Sequence, residues 1–178
     1  RFAAVAGAEG IQLGEAGGRA MGYPLNHPRV QAAYLEEAQT RGVTLHSLNL
    51  GALLGEGTLN YAADTAQGTC ARESLANGFA VCCGMSIPVI VITVEPKNED
   101  AFRNVVSHLR FAEELAAESG VEIAVESAQP LPEIQRLFEQ LAPATKLCMD
   151  LLNPLRFQTG DPREQLRAFG PQRISHYH

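Results

Sequence analysis

Six short β-rich runs recur along the chain, at 10–15, 43–48, 89–95, 121–126, 146–150 and 174–178. At least one helical pattern separates each run from the next. The clearest helix is expected over 100–118, where Phe102, Val105, Val106, Leu109, Ala112, Leu115 and Ala116 recur at three- and four-residue spacing and make one apolar stripe. Gly120 follows as a stop, and further helices are expected near 27–41, 71–83, 132–141 and 162–169. Strand-helix-strand units of this kind cross over right-handed and build a parallel sheet buried on both faces. Two architectures satisfy that cadence: an open doubly wound sheet and a (β/α)8 barrel.

The strand ends favour the barrel. An open nucleotide-binding sheet has a glycine-rich turn after its first strand, and Gly14-Glu15-Ala16-Gly17-Gly18 does not fit G-x-G-x-x-G. Glu15, His46, Glu95, Glu126, Asp150 and His178 all stand at or near the ends of runs. A parallel barrel gathers the ends of many strands on one rim, so polar ends spread over many strands fit a barrel. No linker, low-complexity segment or strict repeat divides the chain, and residues 1–178 read as a single domain.

Three of these ends carry the chemistry. Glu126, Asp150 and His178 close successive runs. By strand parity Glu126, Ala124 and Glu122 share one face, as do Asp150, Cys148 and Lys146, and His178, His176 and Ile174. Small Ala124 and Cys148 beneath the rim suit a crowded barrel interior. His178 is nearer the rim than His176, so His178 is expected as the ligand and His176 as a substrate contact; the reverse assignment stays open. Two carboxylates and an imidazole suit an open octahedral site for Mn²⁺ first, with Mg²⁺, Co²⁺ or Zn²⁺ as alternatives. Such a metal can chelate neighbouring carbonyl and hydroxyl oxygens of a substrate and stabilise an enediolate. Glu15, His46 and Asn153 are expected to reach substrate, and Glu95 is a weaker candidate, because Pro96 carries the chain out of the sheet.

Composition excludes several classes. The net charge of −6, with scattered basic residues, argues against a nucleic-acid binder held by phosphate contacts. The longest apolar run, 87–94, is strand-sized, against the roughly 20 residues of a membrane span. Cys70, Cys82, Cys83 and Cys148 form no C-x-x-C pair and read as small apolar residues of a reducing, cytoplasmic compartment. The chain opens on Arg1 with a helix-like stretch and no secretory signal, so it is expected to be trimmed at its front as well as at its back.

The order of these pieces resembles the xylose-isomerase-like barrels, the superfamily of sugar-phosphate isomerases and epimerases that also contains endonuclease IV. Ala8-Glu9-Gly10-Ile11-Gln12-Leu13 looks like the entry into that family's second strand. Val121-Glu122-Ile123-Ala124-Val125-Glu126 resembles its fifth, and Lys146-Leu147-Cys148-Met149-Asp150-Leu151-Leu152-Asn153 its sixth, usually written D-x-x-H. Arg173-Ile174-Ser175-His176-Tyr177-His178 resembles its seventh. The resemblance implies an incomplete TIM barrel holding strands two to seven, with the eighth-strand glutamate that completes the metal site outside the sequence. It implies an isomerase or epimerase of a small sugar, sugar phosphate, inosose or polyol in the full-length protein, with Glu126 as one of a pair of proton-transferring glutamates. A homo-oligomer is compatible with it. The fragment itself is expected to be inactive and prone to aggregate through its open sheet edges. Asn153 departs from the family's usual histidine, which weighs against the alternative of an endonuclease IV-like phosphodiesterase. A non-catalytic sugar-binding barrel is the remaining alternative. The residues name neither the sugar nor the metal.

Overall fold

The computed structural model describes residues 2–15 and 18–178; Arg1, Ala16 and Gly17 lie outside the described residues, the last two within the Gly14-Glu15-Ala16-Gly17-Gly18 sequence considered above. The two apolar periods resolve into six strands: β1 (Gly10–Gly14), β2 (Thr44–Asn49), β3 (Val89–Thr93), β4 (Glu122–Glu126), β5 (Lys146–Met149) and β6 (Ile174–Tyr177). They form one sheet in the order β1-β2-β3-β4-β5-β6, with every neighbouring pair parallel. Helices connect them on the outer face, and the sheet curls into an incomplete TIM barrel.

The helices follow the expected pattern with shifts that have local causes. The Glu99–Ser119 helix begins where Asn98 accepts a hydrogen bond from the N–H of Ala101 and stops at Gly120, whose φ of 72° closes the last turn. Its apolar stripe packs inward, with Val105, Leu109 and Ala112 fully buried. The Ala66–Met85 helix starts five residues ahead of expectation, because Thr65 caps it by accepting from the N–H of Gly68. That first turn carries no apolar signal. The Pro162–Arg173 helix is broken at Gly170 (φ 64°, ψ 170°), next to Pro171.

Two separate apolar clusters lie on the two faces of the sheet. The outer one joins Leu48, Ile90, Ile92, Ile123, Val125, Leu147 and Met149 to the helices. The inner one is small: Val89, Val91, Ala124 and Cys148, all buried. Small side chains at Ala124 and Cys148 thus fill the barrel interior, one alternation before Glu126 and Asp150 on their own strands.

Parity fails at two places, both bulges. In β2, Ile11 pairs with Leu45 and Gln12 with Ser47, which leaves His46 as an extra residue. In β6, Leu147 pairs with Ile174 and Cys148 with His176, which leaves Ser175 extra. Ile174 therefore turns outward into the helix-facing core and does not share the face of His176 and His178. That corrects the expected placement of Ile174; the two histidines keep theirs.

Candidate active site

Glu126 ends β4 on the inner face and is only 8% exposed. Its register partner on β3 is Thr93, whose hydroxyl donates to Oε2 at 3.0 Å. Oε1 receives the side-chain amide of Asn153 at 3.5 Å and stands 3.4 Å from Nδ1 of His178. The other ring nitrogen of His178 lies 3.1 Å from Oε1 of Gln12 on β1, and the same oxygen accepts from the Ser47 hydroxyl at 2.9 Å. One chain of polar contacts therefore runs from Ser47 through Gln12, His178 and Glu126 to Thr93. It links five of the six strands through their inner faces.

The carboxylate of Glu126 raises the pKa of His178 above its ordinary value by hydrogen bonding to it; partial burial opposes the shift, and the charges of Glu126 and Asp150 reinforce it. His176 shifts the other way. Burial comes first, and the neighbouring rings of His178 and His46 add to it, against the opposing charges of Glu122 and Glu126, so its pKa falls below the ordinary value. Its Nδ1 lies 3.1 Å from the Ser175 hydroxyl, which is itself spent donating to Glu122 at 2.6 Å. The proton on His176 is thereby assigned to Nδ1. Nε2 keeps a free lone pair, aimed at Sγ of Cys148 3.5 Å away. Burial, then the charges of Glu126 and Asp150, push the Cys148 thiol up to about 12.

Asp150 follows the last residue of β5. Its Oδ1 accepts from the N–H groups of Leu152 and Asn153 at 2.7 and 2.9 Å, an Asx turn that starts the short Asn153–Arg156 helix. Oδ2 takes no hydrogen bond among the described residues. Glu126 Oε1, an Asp150 oxygen and a nitrogen of His178 are donors of the hard, oxygen-rich kind that fits Mn²⁺ or Mg²⁺, but among the described residues the three side chains whose ligand atoms all lie within 4.8 Å of one another are Cys148, His176 and His178, not these three.

The other candidates divide. His46 is exposed, and its ring meets that of His176 edge to face at 5.5 Å, so the bulge in β2 delivers it to the same interior. Asn153 touches Glu126 directly. Glu15 stands apart from this group: its Oε1 accepts from the N–H of Ala52 at 2.5 Å, at the start of the Gly51–Glu56 helix, where a carboxylate complements the unpaired backbone donors. Glu95 likewise ties loops together, accepting from the N–H of Ala128 and from the side chain of Gln129. β3 ends two residues earlier, and Thr93 occupies the rim beside Glu126. Thr93, Gln12 and Ser47 are site residues that the strand-end rule passes over. Thr93 did carry a signal, as the lone polar residue inside the run 87–94.

A family model described as "Xylose isomerase-like TIM barrel" matches residues 1–178. The chain belongs to that family. One curated relative, 2-epi-5-epi-valiolone 7-phosphate 2-epimerase of Actinoplanes sp. (strain ATCC 31044 / CBS 674.73 / SE50/110), is 30% identical over 162 residues. That alignment covers 88% of this chain and 57% of the relative, so the chain spans little more than half of the relative's length. Among solved structures of the xylose isomerase-like fold, a xylose isomerase domain protein from Planctomyces limnophilus superimposes with a TM-score of 0.79 at 15% identity, over 99% of this chain and 64% of the other. A D-psicose 3-epimerase crystallised in the presence of D-fructose gives 0.77 at 13% identity, over 98% and 64%. Those two likenesses establish the shared fold.

Proposed function

We propose that the full-length protein is a divalent-metal-dependent isomerase or epimerase of a small sugar or polyol, acting by proton transfer next to a carbonyl. The observation that carries this reading is the contact of Glu126 with His178 at 3.4 Å at the carboxyl ends of parallel strands, with the charge of Asp150 acting on the same imidazole. Glu126, Asp150 and His178 would hold the metal. When bound, that metal supplies positive charge which stabilises the enediolate of the substrate.

The chain's own residues supply the rest. Glu126 removes a proton from the carbon beside the carbonyl and returns it. Thr93 fixes Oε2 of that carboxylate, so Oε1 is the oxygen left to face the rim. Asn153 reaches Oε1 with its amide and can turn the same donor toward a sugar hydroxyl. His176 and His46 border the interior where the substrate would lie. The relative at 30% identity is named as a 2-epimerase of 2-epi-5-epi-valiolone 7-phosphate, which supports including phosphorylated substrates beside free ketoses and inososes.

The experiment is solvent exchange. Full-length protein with Mn²⁺ is incubated in D₂O with ketoses, inososes and their phosphates, and deuterium at the carbon beside the carbonyl is read by NMR. Metal-dependent uptake, with or without net epimerisation, is the expected result. No uptake and no isomerisation across the panel would overturn the proton-transfer reading.

A further inference from the structure

Beside Glu126, the same interior holds a second set of donors of different chemical character. Cys148 and His176 are register partners on β5 and β6, with Sγ and Nε2 3.5 Å apart. A ring nitrogen of His178 joins them, and the three ligand atoms all lie within 4.8 Å of one another. Zinc bonds of about 2.3 Å to sulfur and about 2.0–2.1 Å to nitrogen, meeting at a tetrahedral angle, separate the two donor atoms by about 3.6 Å. The Cys148–His176 pair already has that spacing. The Ser175 hydroxyl, committed to Glu122, holds the His176 proton on Nδ1 and leaves the Nε2 lone pair free on the side of the sulfur. This is how a ligating histidine is usually oriented by its second nitrogen. A groove of about 500 Å³ bordered by Gln12, His46, His176 and His178 gives an ion a route to the pair.

We infer that Cys148, His176 and His178 form a binding site for a thiophilic divalent cation, Zn²⁺ or Cd²⁺, and that a cation held there excludes the hard metal of the proposed function. One sulfur and two imidazoles are a softer set than Glu126 and Asp150, and select these ions over Mn²⁺ and Mg²⁺. On binding, the Cys148 S–H bond breaks, its proton passes to water, and the sulfur electron pair forms the bond to the metal; no electron transfer is involved. The exclusion rests on the reading of His178 as a ligand of the hard metal, because one imidazole cannot serve both ions through the nitrogen that faces them. Water or His46, whose ring lies 5.5 Å from that of His176, can fill the fourth position. The consequence is regulatory: a thiophilic cation would silence the enzyme by taking away a ligand.

The test uses metal-free, full-length protein titrated with Cd²⁺, followed by the ultraviolet thiolate-to-cadmium charge-transfer band, with bound Mn²⁺ measured separately by electron paramagnetic resonance. The expected result is one cadmium equivalent per chain with a thiolate band. The band is lost in Cys148→Ser and in Cys148→Ala, and retained in Glu126→Gln and in a Cys70→Ser/Cys83→Ser double variant. Cd²⁺ is expected to displace Mn²⁺ from the native protein and to lose that effect in Cys148→Ser. Thermal unfolding and retained Mn²⁺ binding show that the Cys148 variants are folded. A native protein without the band, a band that survives both Cys148 substitutions, or Cd²⁺ and Mn²⁺ bound together would each overturn the inference. Failure of the native protein to bind Mn²⁺ would instead count against the proposed function, and the cadmium band would still judge the triad.

Discussion

Oε1 of Glu126 lies 3.4 Å from Nδ1 of His178, although β5 separates the two strands that carry them. On a flat sheet, strands two places apart are separated by about 9–10 Å, twice the spacing of neighbours. The contact therefore depends on long side chains leaning together across a curled inner face. A small residue on the strand between keeps the space open: Cys148 occupies it where a leucine would fill it. The curl that makes a barrel is thus also what brings a carboxylate and an imidazole to one point.

Glu126→Gln tests the acid-base role with little change in shape. Proton exchange catalysed by the full-length protein is expected to fall by about 100-fold or more, since a positioned general base contributes about 10²–10⁴. The deuterium wash-in assay reads this directly. A rate close to that of the native protein would remove Glu126 from the chemistry.

Thr93→Val isolates the positioning of that carboxylate. The swap keeps the shape and deletes the hydroxyl that donates to Oε2. A buried acceptor left without its donor costs about 1–3 kcal/mol, so a lower melting temperature is expected. Mn²⁺ affinity is expected to weaken by about 10–100-fold, the usual effect of losing a group that orients a ligand. Isothermal titration of the variant with Mn²⁺ checks it, and unchanged affinity would show that Thr93 does not orient Glu126.

His108 makes stability depend on pH far from the site. It is fully buried on the Glu99–Ser119 helix, Nε2 donates to the carbonyl of Tyr61 at 2.9 Å, and Nδ1 has no partner among the described residues. Burial, aided by the charge of Arg72, lowers its pKa below the ordinary 6.5. The unfolded chain therefore takes up this proton at a higher pH than the folded one. Its stabilising effect is complete above the unfolded pKa and is lost progressively as pH falls below it. Urea midpoints are expected to drop between about pH 7 and pH 5, the range where an ordinary histidine titrates. His108→Gln, which can still donate to Tyr61, is expected to flatten that slope, and an unchanged slope would assign it to other groups.

Two glycines in helices predict opposite outcomes. A Cβ on Gly68 would lie 1.9 Å from the carbonyl oxygen of Ala62, a backbone atom that cannot step aside. Gly68→Ala is expected to cost at least about 2 kcal/mol, in the range of overpacking and backbone displacement. Gly55 sits inside the Gly51–Glu56 helix with nothing within 4 Å of the same position. Gly55→Ala is expected to gain up to about 1 kcal/mol from helix propensity. Denaturant titration of both variants gives the comparison, and a neutral Gly68→Ala would mean that the approach of Ala62 is relaxed in solution.

Part of the candidate site is legible as strand ends. Glu126 and His178 meet because each follows inward-facing residues on its own strand. That parity shows in the sequence as alternation with Ala124 and His176. Glu15 and Glu95 looked equivalent to them in the sequence, yet each is turned toward backbone N–H groups of a neighbouring loop. Nothing local separates a carboxylate that ends a strand from one that pins a loop, because the partner lies more than 30 residues away. Thr93 escapes a strand-end reading for a similar reason: its contact with Glu126 comes from register, and register is a property of two strands.

By itself the sequence determined the parallel α/β cadence, the helix stripe over Phe102 to Ala116 and the small interior residues Ala124 and Cys148, because periodicity and side-chain size are local quantities. Only the tertiary structure decided which donors share a space. The bulges at His46 and Ser175 arise from how β2 and β6 pair with their neighbours. They turn His46 inward and Ile174 outward against simple alternation. They also set His176 opposite Cys148, and so place a sulfur-nitrogen pair beside the Glu126 carboxylate. A bulge is the mismatch of two strands in register, and one strand read alone cannot contain it.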